Sequence, residues 1–115
     1  MDIEHLIAVL ENGIIEKKKV IVRLYADWCR PCTRITPAWN NIKKTYNLDS
    51  KFIIIDLNVD ESVEIYTTLK KYRMVNGIPA FLLWEPHKRE KWYLHDNGIC
   101  NGDPNIIKLW IQNMM

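Results

Sequence analysis

The sequence predicts an α/β domain in which helices cover both faces of a central mixed sheet of four or five strands. Three observations predict it: helical and strand patterns alternate in the first half, a turn separates two later apolar runs, and an amphipathic helix closes the chain. Strands that alternate with helices pair in parallel and need cover on both faces, whereas a hairpin adds an antiparallel strand. Residues 1–115 are expected to form one domain.

The first half of the chain predicts two helices that alternate with two strands. Apolar residues at helical spacing favour a helix over residues 3–10, and an Asn-Gly pair at 12–13 predicts its end. The β-branched run at 20–25 predicts a buried strand. A helix over about 29–46 and an apolar strand over 52–57 follow. These two strands are expected to be parallel.

The second half predicts a short helix, a hairpin and a closing helix. The helix covers about residues 61–72, and strand 78–84 returns through a turn at 86–88 as an antiparallel strand over 91–94. An Asp-Pro pair at 103–104 supplies an N-cap and a first helical residue for the closing helix.

Composition and charge narrow the class of protein. The chain is 48% hydrophobic and 26% charged, as expected of a globular domain, and a formal net charge of +2 does not favour a nucleic-acid partner. No run approaches the roughly 18 to 20 apolar residues of a membrane span, and the acidic start at 1–4 does not resemble a secretory signal. We expect a cytoplasmic monomer without a membrane partner.

Cysteine usage is the strongest pointer to chemistry. Three cysteines are too few for a secreted disulfide scaffold, so the close pair Cys29 and Cys32 is expected to be catalytic or metal-binding. Three-residue spacing at the start of a helix places the Cβ atoms about 5 to 6 Å apart, within a small adjustment of a disulfide. The helix N-terminus also favours a thiolate. Cys29 is the expected nucleophile, and Cys32, deeper in the helix, the resolving thiol.

The residues around this pair resemble the thioredoxin family. The stretch ADWCRPC at 26–32 is similar to the family's active site, which usually reads W-C-G-P-C. Pro37 matches a helix-kinking proline, the Gly-Ile-Pro at 77–79 matches a loop with a cis-proline, and Gly98 matches a glycine that flanks the substrate groove. The resemblance implies the thioredoxin fold and a protein-disulfide reductase without a cofactor. It also implies disulfide-containing protein substrates and an electron donor such as a thioredoxin reductase or glutathione.

The same resemblance implies a shallow apolar docking surface around the nucleophile. Its members would be Trp28, Val59, Ile78, Pro79 and Gly98. Val59 and Ile78 stand near predicted strand ends, where a role as simple core residues is the alternative.

Three charged residues depart from the family pattern. Arg30 replaces the usual glycine, and a cation beside Cys29 favours the thiolate and a less reducing couple, unless solvent screens it. Arg23 stands where the family usually has a buried aspartate, and Asp56 where it often has a lysine. Because a lone buried charge is costly, we predict an Arg23–Asp56 ion pair beneath Cys32. Arginine cannot accept a proton, so Asp56 becomes a possible acceptor for the Cys32 proton, with water as the default.

Other interpretations of the cysteines remain open from the sequence. A zinc site needs four ligands, and only Cys100, His5, His87 and His95 remain, without a second paired motif; an iron–sulfur site also needs more thiolates. The fold also suits a binding module with idle cysteines, or an oxidase or isomerase, which Arg30 favours. Cys100 is either a small apolar filler or a regulatory third thiol.

Overall fold

The computed structural model describes residues 1–115 and has five helices around a mixed sheet of four strands. The elements, in chain order, are α1 (Ile3–Glu16), β1 (Lys19–Tyr25), α2 (Arg30–Thr45), α3 (Leu48–Lys51), β2 (Phe52–Asn58), α4 (Val63–Lys71), β3 (Ala80–Trp84), β4 (Asn97–Ile99) and α5 (Pro104–Met114). The strand order is β2-β1-β3-β4, with β1 and β2 parallel and the other pairs antiparallel. The predicted α/β architecture is confirmed. None of the helices combines the length and apolar character needed to cross a membrane.

The sheet separates two hydrophobic clusters. Alternate side chains of β1 and β3 point to opposite faces, as the period of a strand requires. One face packs against α1 and α4, whose buried residues include Leu6, Leu10, Ile65 and Leu69. The other packs against α2 and α5, through Ile35, Trp39, Ile107 and Ile111. The predicted helix cover on both faces is therefore confirmed.

The end of the first helix differs from the prediction. Instead of stopping at Asn12 and Gly13, α1 continues to Glu16 and ends where Lys17 adopts a left-handed conformation, with φ 57°. Gly13 lies inside the helix and is buried against β1. A Cβ atom there would lie 2.9 Å from Val20 Cγ2 and 3.0 Å from the Lys18 carbonyl oxygen. The glycine allows helix and strand to approach closely, a tertiary requirement that resembles a stop signal in the sequence.

Gly13→Ala is expected to lower the free energy of unfolding by up to about 2 kcal/mol, because overpacking costs about 1 to 3 kcal/mol and alanine's helix propensity recovers about 1. Urea denaturation measures the change. Ala8→Gly, at an exposed position of the same helix, is the control for the propensity contribution alone. A stabilised Gly13→Ala protein would contradict the packing explanation.

The predicted strand at 91–94 is wrong, because β4 is formed by Asn97–Ile99 instead. The antiparallel partner of β3 thus comes later in the chain. Residues 85–96 form an irregular loop tied together by Asp96, which binds the Glu85 N–H at 2.6 Å and the Arg89 guanidinium at 3.1 Å. Burial alone would raise the pKa of Asp96, but these bonds and one to His87 outweigh it and lower the pKa. Side-chain bonds therefore hold this segment out of the sheet.

The predicted helix over 61–72 is divided in the structure. A 3-10 turn occupies Val59–Glu61, and α4 begins only after Ser62, whose φ of −139° is not helical. Ser62 is buried and its hydroxyl accepts a hydrogen bond from the N-terminal ammonium of Met1 at 3.1 Å. The single-turn helix α3 was not predicted either, since four residues are too few to show a period.

Candidate active site

Cys29 and Cys32 lie where β1 leads into α2, and a disulfide joins them. Cys29 is the N-cap residue of α2, and its Sγ accepts a hydrogen bond from the backbone N–H of Cys32 at 3.3 Å. Their Cα atoms are 5.2 Å apart, inside the range of about 4.4 to 6.8 Å that a disulfide requires. Cys29 is 5% exposed and Cys32 is 0% exposed. Cys29 is therefore the sulfur that an approaching molecule meets first.

The N-terminus of α2 favours a thiolate on Cys29 once the disulfide is reduced. The backbone N–H of Cys32, which already points at the Cys29 sulfur, would stabilise negative charge on it. The unpaired N–H groups and the helix dipole act in the same direction. Pro31 has no N–H and has the φ angle of a first helical turn, so it starts the helix without removing a useful donor. This end of α2 can open and close a disulfide with little backbone motion.

Arg23 lies directly beneath Cys32. It projects from β1, is 4% exposed, and donates from Nη2 to the Cys32 carbonyl oxygen at 3.1 Å and to Thr36 Oγ1 at 2.7 Å. Its Nη1 is 3.6 Å from Asp56 Oδ1, and its guanidinium carbon lies 4.7 Å from the centre of the Tyr25 ring. Burial lowers the pKa of Arg23 and attraction to Asp56 opposes that effect. The guanidinium stays charged, as arginine does in proteins.

Asp56 pairs with Arg23 across β1 and β2, where the two residues stand opposite in the parallel register. Both of its oxygens have close donors: Trp39 Nε1 at 2.8 Å from Oδ1 and Lys43 Nζ at 2.8 Å from Oδ2. The Asp56 side chain remains 32% exposed. The structure therefore contains the ion pair that the sequence suggests and adds two neighbours, Trp39 and Lys43, that sequence reasoning missed.

Trp28 stands on the surface beside the redox pair. It is 67% exposed, and its indole N–H donates to Asp60 Oδ2 at 2.9 Å. Asp60 lies in the 3-10 turn after β2, and its backbone N–H binds the Asn58 side chain at 2.9 Å. Asp60 thus fixes the orientation of Trp28, a role that its position alone did not reveal.

The remaining predicted docking residues differ in how much surface they expose. Ile78 is half-buried and Pro79 is buried, and the peptide bond between them is cis. Val59 is only 4% exposed and belongs to the core cluster, so it offers little surface. Gly98 lies in β4, where a Cβ atom would meet Leu82 at 3.0 Å.

A different glycine approaches the cis-proline. A Cβ atom on Gly102 would lie 3.3 Å from Pro31 Cβ and 3.7 Å from Pro79 Cγ. Gly102 stands directly before the Asp103 N-cap, and no local pattern marks it as a site residue. Gly102 therefore lies against both Pro31 and the cis-proline, next to the redox pair.

Arg30 and Cys100 lie at the edges of this region. Arg30 is the first residue of α2 and is exposed. Cys100 is a free, exposed cysteine whose Sγ is 3.5 Å from the Gly77 carbonyl oxygen. No group of three His, Cys, Asp or Glu side chains lies close enough to hold a metal ion.

Comparison with known proteins connects this geometry to one family. The Thioredoxin family model matches residues 6–98. A thioredoxin of Rickettsia bellii is 33% identical over 94 residues, which cover 82% of this chain and 79% of the relative. A thioredoxin of Buchnera aphidicola is 36% identical over 78 residues, which cover 67% of this chain and 66% of that relative.

Solved structures agree with the sequence relatives. The structure of Plasmodium falciparum thioredoxin superposes with a TM-score of 0.69 at 25% identity, covering 94% of this chain and 93% of that one. A Schistosoma mansoni thioredoxin superposes with a TM-score of 0.73 at 21% identity, covering 99% and 91%. The predicted thioredoxin fold is confirmed. The chain belongs to the thioredoxin family and is a thiol–disulfide oxidoreductase that carries the family's Cys-X-X-Cys pair at Cys29 and Cys32.

Proposed function

We propose that this oxidoreductase reduces disulfide bonds of other proteins in the cytoplasm. Its own Cys29–Cys32 disulfide is then reduced again by a thioredoxin reductase or by glutathione. The observation that carries the proposal is the position of the Cys29–Cys32 disulfide at an exposed helix end beside Trp28, which is 67% exposed. A large exposed aromatic ring next to a reactive sulfur suits the docking of a protein chain. The exposed free thiol of Cys100 suits a reducing compartment, which supports the cytoplasmic location.

Docking uses the apolar surface between Trp28 and the cis-proline loop. Trp28, held by Asp60, forms one wall, and the half-buried Ile78, beside the buried Pro79, forms the other. Gly102 leaves the space beside Pro79 free of a side chain. A substrate segment lying between these walls would bring its disulfide to Cys29.

The reaction proceeds in two exchanges. The Cys29 thiolate attacks one sulfur of the target disulfide, forming a Cys29–target bond and releasing the other target sulfur as a thiolate that takes a proton from solvent. Cys32 then loses its proton and attacks Cys29 Sγ. The Cys29–Cys32 bond forms, the Cys29–target bond breaks, and the second target sulfur leaves as a thiolate. Two electrons have passed from the enzyme to the target.

The electron donor is testable in a coupled assay. The oxidised protein is mixed with a protein-disulfide substrate and either NADPH with a thioredoxin reductase or reduced glutathione, with the Cys29→Ser/Cys32→Ser protein as control. We expect one donor to sustain turnover of the wild type and neither to sustain the double variant. Failure of both donors, with dithiothreitol still effective, would overturn the proposed recharging route.

Asp56 is proposed to accept the Cys32 proton during resolution, through solvent at its exposed edge. Its side chain is 32% exposed, and Arg23 connects it to the Cys32 backbone. Asp56→Asn should slow release of a mixed disulfide by roughly tenfold or more, which is less than the roughly 10² to 10⁴-fold of a base in direct contact because the proton passes through solvent. Asp49→Asn, at an exposed position on α3, is the matched control. The release rate is measured by quenching and mass spectrometry. An unchanged or faster release in Asp56→Asn would contradict the role of Asp56 as proton acceptor.

An oxidase or isomerase activity is the second candidate function, because Arg30 and the buried Arg23 both place positive charge near the pair. Positive charge favours the reduced, thiolate form and makes a couple more oxidising. The reduction potential, measured by equilibration with glutathione, distinguishes the two functions. A value near those of thioredoxins, about −270 mV, supports the reductase, whereas one near about −120 to −180 mV supports the oxidase or isomerase.

A further inference from the structure

The charged groups beneath Cys32 do not balance. Arg23 and Lys43 both contact Asp56, at 3.6 and 2.8 Å, so two cations share one carboxylate. One positive charge is left in excess. Arg23, at 4% exposure, is the buried cation of the group and the one in contact with the Cys32 backbone.

Arg23 also has unused donor capacity. Its Nε is buried and has no hydrogen-bond partner, although its two terminal nitrogens are bound. In the oxidised state Cys32 is bonded to Cys29 and carries no charge, so it supplies no negative charge to this cation.

We infer that Arg23 is a positioning residue that stabilises the thiolate of Cys32 in the reduced protein, so that the resolving sulfur ionises more readily whichever group takes its proton. The inference rests on the dithiol reaction of the proposed function. Arginine stays protonated throughout and transfers no proton. The Cys32 proton leaves to Asp56 or to water, and the guanidinium stabilises the negative charge that remains. A Cys32 thiolate stabilised in this way is present at lower pH, so Cys32 attacks Cys29 in the mixed disulfide at a higher rate.

Other titratable or charged side chains around the pair are Tyr25 on β1, Asp27 and Arg30 beside Cys29, Lys43 on α2, Asp56 on β2 and Asp60 in the turn after β2. The absorbance change of the protein that also lacks Cys32 is subtracted, so that the difference reports the Cys32 thiol.

The test isolates Cys32 as the only thiol. In the Cys29→Ser/Cys100→Ser protein, the ultraviolet absorbance of the thiolate is followed against pH, with and without Arg23→Met. We expect Arg23→Met to move the midpoint up by about one pH unit or more, since a nearby opposite charge typically shifts a pKa by about 1 to 3 units. In the intact dithiol protein, Arg23→Met should also make the couple more reducing.

Two further variants distinguish charge from hydrogen bonding. Arg23→Lys keeps the charge, so its Cys32 titration midpoint should stay close to that of the protein with Arg23. Arg23→Gln keeps a donor without charge, so its midpoint should be raised as in Arg23→Met. Arg30→Met, which removes an exposed cation, should give a smaller shift because solvent screens it. Circular dichroism checks that each variant is folded.

An unmoved midpoint in folded Arg23→Met, or a midpoint restored by Arg23→Gln and not by Arg23→Lys, would overturn the inference. Because the titration requires no turnover, that failure would leave the proposed reductase activity standing. If the wild type shows no reductase activity while Arg23→Met still shifts the midpoint of the Cys32 titration, the proposed function is overturned instead.

Discussion

Replacing Cys32 by serine is expected to stop turnover and to leave a mixed disulfide between Cys29 and the substrate protein. The backbone N–H of residue 32, which points at the Cys29 sulfur at 3.3 Å, is retained in this variant, so the nucleophile still forms. Without a second sulfur, the mixed disulfide has no internal route to release. Non-reducing electrophoresis with a protein-disulfide substrate shows the covalent complex.

Cys29→Ser is the matched control for this trapping experiment. Serine is a good N-cap residue, so α2 should still begin at the same place and the protein should fold. No covalent complex is expected, because Cys32 is 0% exposed and does not meet the substrate. A complex formed by Cys29→Ser and not by Cys32→Ser would reverse the roles assigned to the two cysteines.

Replacing Trp39 by alanine is expected to cause the largest loss of stability, about 3 to 5 kcal/mol of the roughly 5 to 15 kcal/mol that hold a domain of this size together. Trp39 is 1% exposed and packs edge-on against Phe81 at a centroid distance of 4.9 Å. Its removal opens a cavity between α2 and the sheet and also frees Asp56 from the indole N–H. Urea denaturation measures the loss.

Two variants separate the contributions of Trp39. Trp39→Phe keeps an aromatic ring beside Phe81 but has no donor for Asp56, so it should lose much less than Trp39→Ala. Trp28→Ala removes an indole that is 67% exposed and should change stability little, which shows that burial and not residue type is responsible. Equal losses for Trp28→Ala and Trp39→Ala would contradict the packing account.

Periodicity and cysteine spacing were enough to predict most of the fold and the reactive pair. Each long element has a clear period, and the parallel pairing of β1 and β2 follows from the helix between them. The pair at Cys29 and Cys32 was found because two nucleophilic residues at this spacing have few structural uses. Local sequence carries both kinds of information.

Features that depend on contacts distant in the sequence were missed or misplaced. Gly13 looks like a helix stop because nothing local shows that Val20 packs against it. Residues 91–94 look like a strand because the bonds of Asp96 that hold the loop elsewhere are side-chain contacts. Gly102 is not marked by any local pattern, because its approach to Pro31 and Pro79 is a contact between distant parts of the chain.

The contacts of the charged residues beneath Cys32 were predicted only in part. The sequence suggested that Arg23 and Asp56 pair, since each would be costly alone in an apolar strand. It gave no sign that Lys43 and Trp39 also bind Asp56, because they lie on a helix whose rotation about its axis is set by packing. The excess positive charge under Cys32 is therefore visible only in the assembled structure.

The central claim, that Cys29 and Cys32 carry out disulfide exchange, is tested most directly by reduction of a protein disulfide with dithiothreitol as donor. Wild type, Cys29→Ser and Cys32→Ser are compared, each shown to be folded. The account predicts acceleration over the uncatalysed reaction by the wild type alone. A folded wild type that is no faster than either variant would contradict it.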